Sequence, residues 1–349
     1  MAPTQVREQV DRTADVDLTT TYMGLTLPSP VVASAGPLSQ SVASMQALEE
    51  AGVGAVVMYS LFEEQVRHEQ EQGVRVLEAN TNSFAEALSY FPTESGGSNG
   101  EIAQYLDLLT KGADALSIPL IASLNGAHTG GWTKMAQRLQ DAGATGIELN
   151  TYFLPGDFSL TGSEVEQRHL EILQSVKDVV DIPVALKLSP YFSNFGEFAI
   201  RLDAAGADAL VLFNRFLQPD IDINRQEVVS GFELSHPEEG RLPRTWIAAL
   251  RDNVSTSLAA TSGVDGYVDV VKAILSGADV VMTTSALVRR GAGYATDLLS
   301  GLRRYLARGE LSLDQARGLL AVPKTASLAE YERSGYVSAL EKAKRRYGV

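Results

Sequence analysis

Eight short apolar runs recur along the chain, each followed by a polar or glycine-rich turn and then a longer amphipathic stretch. The runs are PVVASA (30–35), GAVVMYS (54–60), IPLIASLNG (118–126), TGIELN (145–150), IPVALKLSP (182–190), DALVLFN (208–214), TSLAATSG (256–263) and ADVVMTTS (278–285). Their apolar residues are consecutive rather than alternating, which is the pattern of parallel strands covered on both faces. Between them, SVASMQALEEAG (41–52) sets Val42, Met45 and Leu48 at helical spacing, with Gly52 placed to end the helix. WTKMAQRLQDAG (132–143), FGEFAIRLDAAG (195–206) and GYVDVVKAILSG (266–277) repeat the form, each closing on glycine just before the next run.

A strand–helix rhythm repeated eight times fits a closed (β/α)8 TIM barrel better than an open doubly wound sheet. The expected organisation is a flexible tail over residues 1–16 and one barrel domain over 17–349. Two intervals are long for a compact domain, 61–117 after strand two and 215–255 after strand six, and loops of that size are usually functional lids. A helical C-terminal extension is expected beyond residue 286, in ATDLLSGLRRYLARG (295–309), LSLDQARGLL and EKAKRRYG.

Charge narrows the partners. The net charge of −14 argues against nucleic acid or an anionic membrane surface, which need a basic footprint. Absence of cysteine excludes disulfides, thiolate metal sites and a cysteine base. No apolar run reaches the length of a membrane span, and the N-terminus lacks a secretory layout, so a soluble cytoplasmic protein is expected.

In a barrel of this type the chemistry gathers at the C-terminal ends of the strands. Those ends carry Ser34 and Gly36, Tyr59 and Ser60, Ser123 and Asn125, Glu148 and Asn150, Lys187 and Ser189, Asn214 and Arg215, Ser262 and Gly263, and Thr284 and Ser285. The set is rich in amides and hydroxyls and has no metal-ligand spacing, so no metal is expected. Lys187 interrupts an apolar strand, where a lone ammonium is costly. Either it forms a structural ion pair with Glu148, or it points into a pocket to form a Schiff base or to stabilise charge on a cofactor. The small residues ending strands seven and eight either hold a phosphate on backbone N–H groups or simply cap helices. Asn150 and Asn214 are better explained by ligand recognition than by capping.

These residues resemble a known family. ELN ending strand four, LKLSP ending strand five, the asparagine ending strand six, the glycine turn after strand seven and TTSAL after strand eight are similar to the dihydroorotate dehydrogenases, FMN-dependent (β/α)8 enzymes. YMGLTLPSPVVASAG, SLFEEQ, IPLIASLNG, ELNTYFLP, LKLSPYFSN, LFNRFLQPDIDI and ATSGV resemble a subgroup, the dihydroorotate dehydrogenase-like proteins, over about residues 17–340. The resemblance implies FMN as cofactor, a small-molecule substrate, oxidoreduction at a CH–CH bond and a link to pyrimidine biosynthesis. Relatives are often dimers, so a homodimer is one expected assembly. It places Lys187 near flavin N1 and O2, where its charge would stabilise the anionic reduced flavin. Asn150 and Asn214 would contact flavin or substrate. Ser262 and Gly263 with Thr284 and Ser285 would hold the phosphate. Ala33, Ser34 and Gly36, with Tyr59, Ser60 and Ser123, would lie along the cofactor, and Asn125, Ser189 and Arg215 would face the substrate.

The departures from the family pattern fall on the substrate side. Relatives follow ELN with a motif whose cysteine or serine is the base; here ELNTYFLPG puts Phe153 there, and phenylalanine accepts no proton. Tyr59 stands where relatives commonly carry lysine, and the asparagine-rich substrate loop has no counterpart in EALSYFPTESGG. Thr151, Tyr152, Tyr59, His128 and Ser189 are the alternative bases, with Tyr152 and His128 foremost; His128 is otherwise a solvated loop residue. Arg215 either holds a substrate carboxylate or pairs with Asp220 or Asp222. The expected function is FMN-dependent oxidoreduction of a small carboxylated or cyclic-amide substrate, with doubtful activity on dihydroorotate itself. The alternatives are a non-catalytic FMN- or metabolite-binding barrel and a flavin-free enzyme acting on a phosphorylated substrate.

Overall fold

A computed structural model of the 349-residue chain describes residues 16–63, 100–126, 132–151, 158–215, 219–229, 233–326 and 328–348. Each of the eight runs becomes one strand of a closed parallel barrel. The strands are β1 (Val31–Ala33), β2 (Ala55–Phe62), β3 (Leu120–Gly126), β4 (Gly146–Thr151), β5 (Val184–Leu188), β6 (Ala209–Leu212), β7 (Ser257–Ala260) and β8 (Val280–Thr283). Each pairs with its sequence neighbour, and β8 closes on β1.

The consecutive apolar residues follow from two separate packings. Val31, Val56, Leu120, Ile147, Leu186, Leu210 and Val281 face outward into the layer beneath the helices. Val32, Val57, Ile121, Ala185, Val211, Ala259 and Met282 face inward and fill the barrel with small and branched groups. An N-terminal hairpin, Thr20–Tyr22 with Leu25–Leu27, packs Tyr22, Met23 and Leu27 against this inner cluster. The opposite, C-terminal end of the barrel is where the inward positions turn polar.

The glycines expected to end four helices do so. Gly52, Gly143, Gly206 and Gly277 all have positive φ, from 86° to 117°, in the region where a side chain is strained. The long intervals contain more helix than expected. Glu101–Ala115 precedes β3 and Arg241–Leu250 precedes β7, and outside these intervals Gly162–Lys177 precedes β5. Of the two lid expectations, residues 64–99 lie outside the described residues. The second interval holds a hairpin, Asp220–Asp222 with Glu227–Val229, before its helix. Helices Ser285–Arg290, Tyr294–Gly309, Leu313–Ala316 and Leu328–Tyr347 form the C-terminal extension. Among the described residues no helix is long and apolar enough to cross a membrane. Residues 1–15 of the expected tail lie outside the described residues, and Val16 already packs against the core.

A buried imidazole ties the fold to pH. His169 sits between the Phe192 and Phe198 rings, with Nδ1 2.8 Å from the Val165 carbonyl. Burial pulls it down to about 4, against that hydrogen bond. It is therefore neutral in the folded state while the unfolded chain protonates near its ordinary value. Its contribution to stability is complete above about pH 6.5 and is lost as pH falls toward 4, on the order of 3 kcal/mol in all. Denaturant titrations at pH 7 and pH 5 should show a smaller pH difference in His169→Leu than in the parent; an equal difference would contradict this.

Candidate active site

The polar mouth is built from strand ends that face inward. Register places Asn125, Asn150 and Lys187 side by side across β3, β4 and β5. One layer below, Ser123, Glu148 and Ala185 form the next row. Asn125, Asn150 and Asn214 are all buried.

Lys187 forms the ion pair with Glu148 that one reading of the sequence expected. Its Nζ lies 3.4 Å from Glu148 Oε1 and 3.5 Å from Ser34 Oγ. Glu148 is 1 % exposed and the Lys187 side chain 12 %, so both partners of the pair are largely buried, the carboxylate almost completely. Both contacts are long for charge-assisted hydrogen bonds. Among the described residues Glu148 Oε2 has no hydrogen-bond partner. The Tyr22 hydroxyl, on the N-terminal hairpin, has none among them either, and burial with the charges of Glu148 and Asp279 pushes its phenol well above the ordinary value.

The two other amides form a pair. Asn214 Nδ2 donates to Asn150 Oδ1, and also to the Lys187 carbonyl at 3.4 Å. This leaves the Asn150 NH2 as donor and the Asn214 carbonyl as acceptor. One donor beside one acceptor matches the edge of a lactam or imide heterocycle.

Opposite lies a backbone cradle. Ser262 and Gly263 have consecutive positive φ of 73° and 67°, a turn that presents successive N–H groups on one side. The N–H groups of Ser262, Gly263, Val264 and Thr284 make no hydrogen bond among the described residues. Two glycines permit the shape. A Cβ on Gly263 would lie 2.2 Å from Gly240 N, and one on Gly36 would lie 2.5 Å from Thr284 Cγ2. The hydroxyls of Ser262, Thr284 and Ser285 are engaged within the protein itself. Thr284 Oγ1 donates to the Ser34 carbonyl at 2.9 Å, Ser262 Oγ to the Phe213 carbonyl at 3.1 Å, and Ser285 Oγ accepts from Ser235 N at 3.0 Å. The cradle is therefore one of backbone rather than of side chains.

The β1–β3 wall is cross-braced. Ser39 Oγ accepts from Tyr59 N at 2.7 Å and donates to the Gly36 carbonyl at 2.9 Å, while Ser60 and Ser123 hydroxyls meet at 2.9 Å. Ser123 N donates to the Tyr105 hydroxyl, whose ring meets that of Tyr59 edge-on. Ala33, expected along the cofactor, is buried and faces the helix layer, so only its backbone borders the mouth. Ser39, Tyr105, Tyr22 and Gly240 were not singled out in the sequence, because each acts across elements distant in the chain.

Several candidate bases change standing. Burial, reinforced by Glu101, pushes the Tyr59 phenol above its ordinary value, so at neutral pH it is a donor. Ser189 is buried with its hydroxyl accepting from Tyr191 N at 3.0 Å. Thr151 is buried and ends β4. His128, Tyr152 and Phe153 lie outside the described residues. Arg215 is a correction to the pairing expectation. Its Nε donates to Glu239 at 2.6 Å and its Nη1 to the Glu233 carbonyl, not to Asp220 or Asp222. Those aspartates are used within their own hairpin, Asp222 accepting from the N–H groups of Asn224 and Arg225. Arg244 brings a further half-buried guanidinium beside Gly240, 3.9 Å from Asp269.

The family model described as dihydroorotate dehydrogenase matches residues 17–306 of this chain. The chain belongs to the dihydroorotate dehydrogenase family. It is an oxidoreductase of that group, and the barrel mouth described above is where the fold places such chemistry. Among similar proteins is the catalytic subunit of dihydroorotate dehydrogenase B (NAD(+)) of Methanocella arvoryzae, 28% identical over 300 residues that cover 85% of this chain and 95% of that one. The Thermoplasma volcanium protein of the same name is 27% identical, covering 83% of this chain and 93% of that one. The PreA subunit of the NAD-dependent dihydropyrimidine dehydrogenase of Escherichia coli K12 is 24% identical, covering 87% and 76%. The names of these similar proteins point to two substrates, dihydroorotate and dihydropyrimidine.

Proposed function

We propose that the mouth binds FMN and uses it to oxidise or reduce a carbon–carbon bond in a small carboxylated or cyclic-amide substrate. The observation that carries this reading is the pairing of two complementary features in one mouth. One is an ammonium beside a donor–acceptor amide pair; the other is a group of unpaired backbone N–H groups. The first suits the pyrimidine edge of an isoalloxazine and the second suits its phosphate. FMN, when bound, supplies the acceptor or donor of a hydride.

The chain's own residues do the rest. Ser262, Gly263, Val264 and Thr284 N–H groups hold the phosphate, with Arg244 as nearby countercharge. Lys187 places positive charge where the ring gains negative charge, and Glu148 fixes that ammonium from below. Asn150 and Asn214 orient the heterocycle, and Asn125 extends the same row toward the substrate. Arg215, held by Glu239, shapes the wall and is a weaker candidate for a substrate carboxylate than its charge alone suggests.

The proton acceptor is assigned to the segments around His128 or Tyr152, because Phe153 aligns with the family's base position, the Tyr59 phenol is held in its protonated form and the Ser189 hydroxyl already accepts from Tyr191 N. The substrate is accordingly assigned to a relative of dihydroorotate rather than to dihydroorotate itself. His128→Gln and Tyr152→Phe should both retain full flavin content. In single-turnover flavin reduction, the variant lacking the base should be slower by about 10²–10⁴-fold. Unchanged rates in both would reject the assignment. Photoreducing the purified protein and following re-oxidation by candidate enoates and cyclic amides tests the reaction class. Re-oxidation by none of them would favour a barrel that binds FMN without turnover.

A further inference from the structure

Lys187 reaches across the barrel. In the closed eight-strand ring β5 stands opposite β1, and Lys187 Nζ on β5 comes within 3.5 Å of Ser34 Oγ, just past β1. The ammonium therefore lies near the barrel axis. Glu148 sits one pleat deeper on β4, in register with Ala185, while Asn150 is in register with Lys187. The small Ala185 side chain leaves room for the carboxylate to approach Nζ, which Oε1 meets at 3.4 Å.

The carboxylate is sparsely bonded for a group 1 % exposed. Buried carboxylates ordinarily gather two or three hydrogen bonds, which spread their charge. Glu148 Oε1 has one long contact, and Oε2 has no hydrogen-bond partner among the described residues. Ser123, in register with Glu148, has its hydroxyl 2.9 Å from that of Ser60. The charge acts on the barrel interior: burial raises the phenols of Tyr22 and Tyr105, and Glu148 adds to the rise of both. Seen from the mouth, the pair is a dipole rather than a free cation, with its anion set deeper and its cation set nearer.

We propose that Glu148 tunes the cofactor's reduction potential: it offsets the Lys187 charge, so that bound flavin is harder to reduce than the ammonium alone would make it. This rests on the reading that FMN occupies the mouth with Lys187 beside its ring. A ring that becomes more negative on reduction is stabilised by the near cation and opposed by the deeper anion. Because the anion is farther away, the offset is partial. The reduced ring then gives up hydride more readily than one facing an unpaired lysine. Holding the ammonium in place and offsetting its charge predict opposite signs when the carboxylate is replaced, so the two roles are separable.

The test is the midpoint potential of flavin-loaded protein, from anaerobic reductive titration against a reference dye at pH 6, far below the ordinary lysine value. Glu148→Gln keeps the side-chain shape and an acceptor for Nζ. It should prefer reduced over oxidised FMN about tenfold more than the parent does, a rise of about 30 mV for two electrons. Glu148→Asp keeps the charge and should not rise. Lys187→Met and Lys187→Met/Glu148→Leu give a second comparison with the ammonium absent from both, and the double variant should lie about tenfold above the single. A fall or no change in Glu148→Gln, a rise in Glu148→Asp, or a double variant no higher than the single overturns the proposal while flavin is still bound. Parent protein that takes up no FMN overturns the underlying reading and the proposal together.

Discussion

Lys187→Met is expected to weaken FMN retention by about 10- to 100-fold, the loss of one charge-assisted interaction of about 1.5–3 kcal/mol. The midpoint potential of whatever flavin remains should fall by about 30–60 mV, since 30 mV corresponds to about 1.4 kcal/mol for two electrons. The direction follows from charge: removing a cation beside a ring that becomes more negative on reduction favours the oxidised form. Stability falls as well, because Glu148 is left 1 % exposed without its ammonium. Stranding a buried charge costs about 3–5 kcal/mol. The double variant Lys187→Met/Glu148→Leu separates the two effects. It should recover most of the melting temperature and none of the flavin affinity. If it recovers both, Lys187 acts only as the partner of Glu148.

Gly263→Ala is expected to be the most damaging conservative change at the mouth. The added methyl would sit 2.2 Å from Gly240 N and 2.8 Å from the His236 carbonyl, and φ at this position is 67°. Backbone on both sides leaves no flexible side chain to move aside. The turn after β7 must separate from the segment before Arg241–Leu250, at about 2–4 kcal/mol in stability. The same movement disperses the N–H groups of residues 262–264, so FMN affinity falls together with stability. Gly266→Ala is the matched control: its added methyl meets nothing within 4 Å. Equal unfolding midpoints for the two variants would show that the close approach of Gly263 to Gly240 is not needed.

The barrel was legible because its signal is redundant. Eight apolar runs and four helix-ending glycines each point to the same repeat, so a misread boundary changes little. Three helices were missed for a common reason: they lie inside intervals whose other parts dilute their periodicity. Arg241–Leu250 also carries Pro243 in its first turn, which reads as a breaker although the first turn tolerates it. Gly162–Lys177 was signalled by Thr161 and Glu164, which form a capping box.

The inward positions of the candidate site were legible at the ends of strands, where register dictates which side chains lie next to each other. It was not legible where chain-distant groups meet. Sequence distance suggested Asp220 or Asp222 for Arg215, yet a tight hairpin turns those aspartates onto their own N–H groups, and Glu239 takes the arginine. Thr284 and Ser285 stand where the resemblance implies phosphate binding, and their hydroxyls bond the Ser34 carbonyl and the Ser235 N–H, which the sequence did not show. For Lys187 the sequence posed ion pair against pocket cation. The structure shows the ion pair, with Glu148 one layer below and on the next strand.

The most direct test of the account is to release the cofactor from purified protein by heat and identify it by mass, with its amount measured against the chain. The account predicts FMN at close to one per 37.4 kDa chain, or stoichiometric uptake when FMN is added to stripped protein. Protein that releases no FMN and takes up none on titration would contradict it.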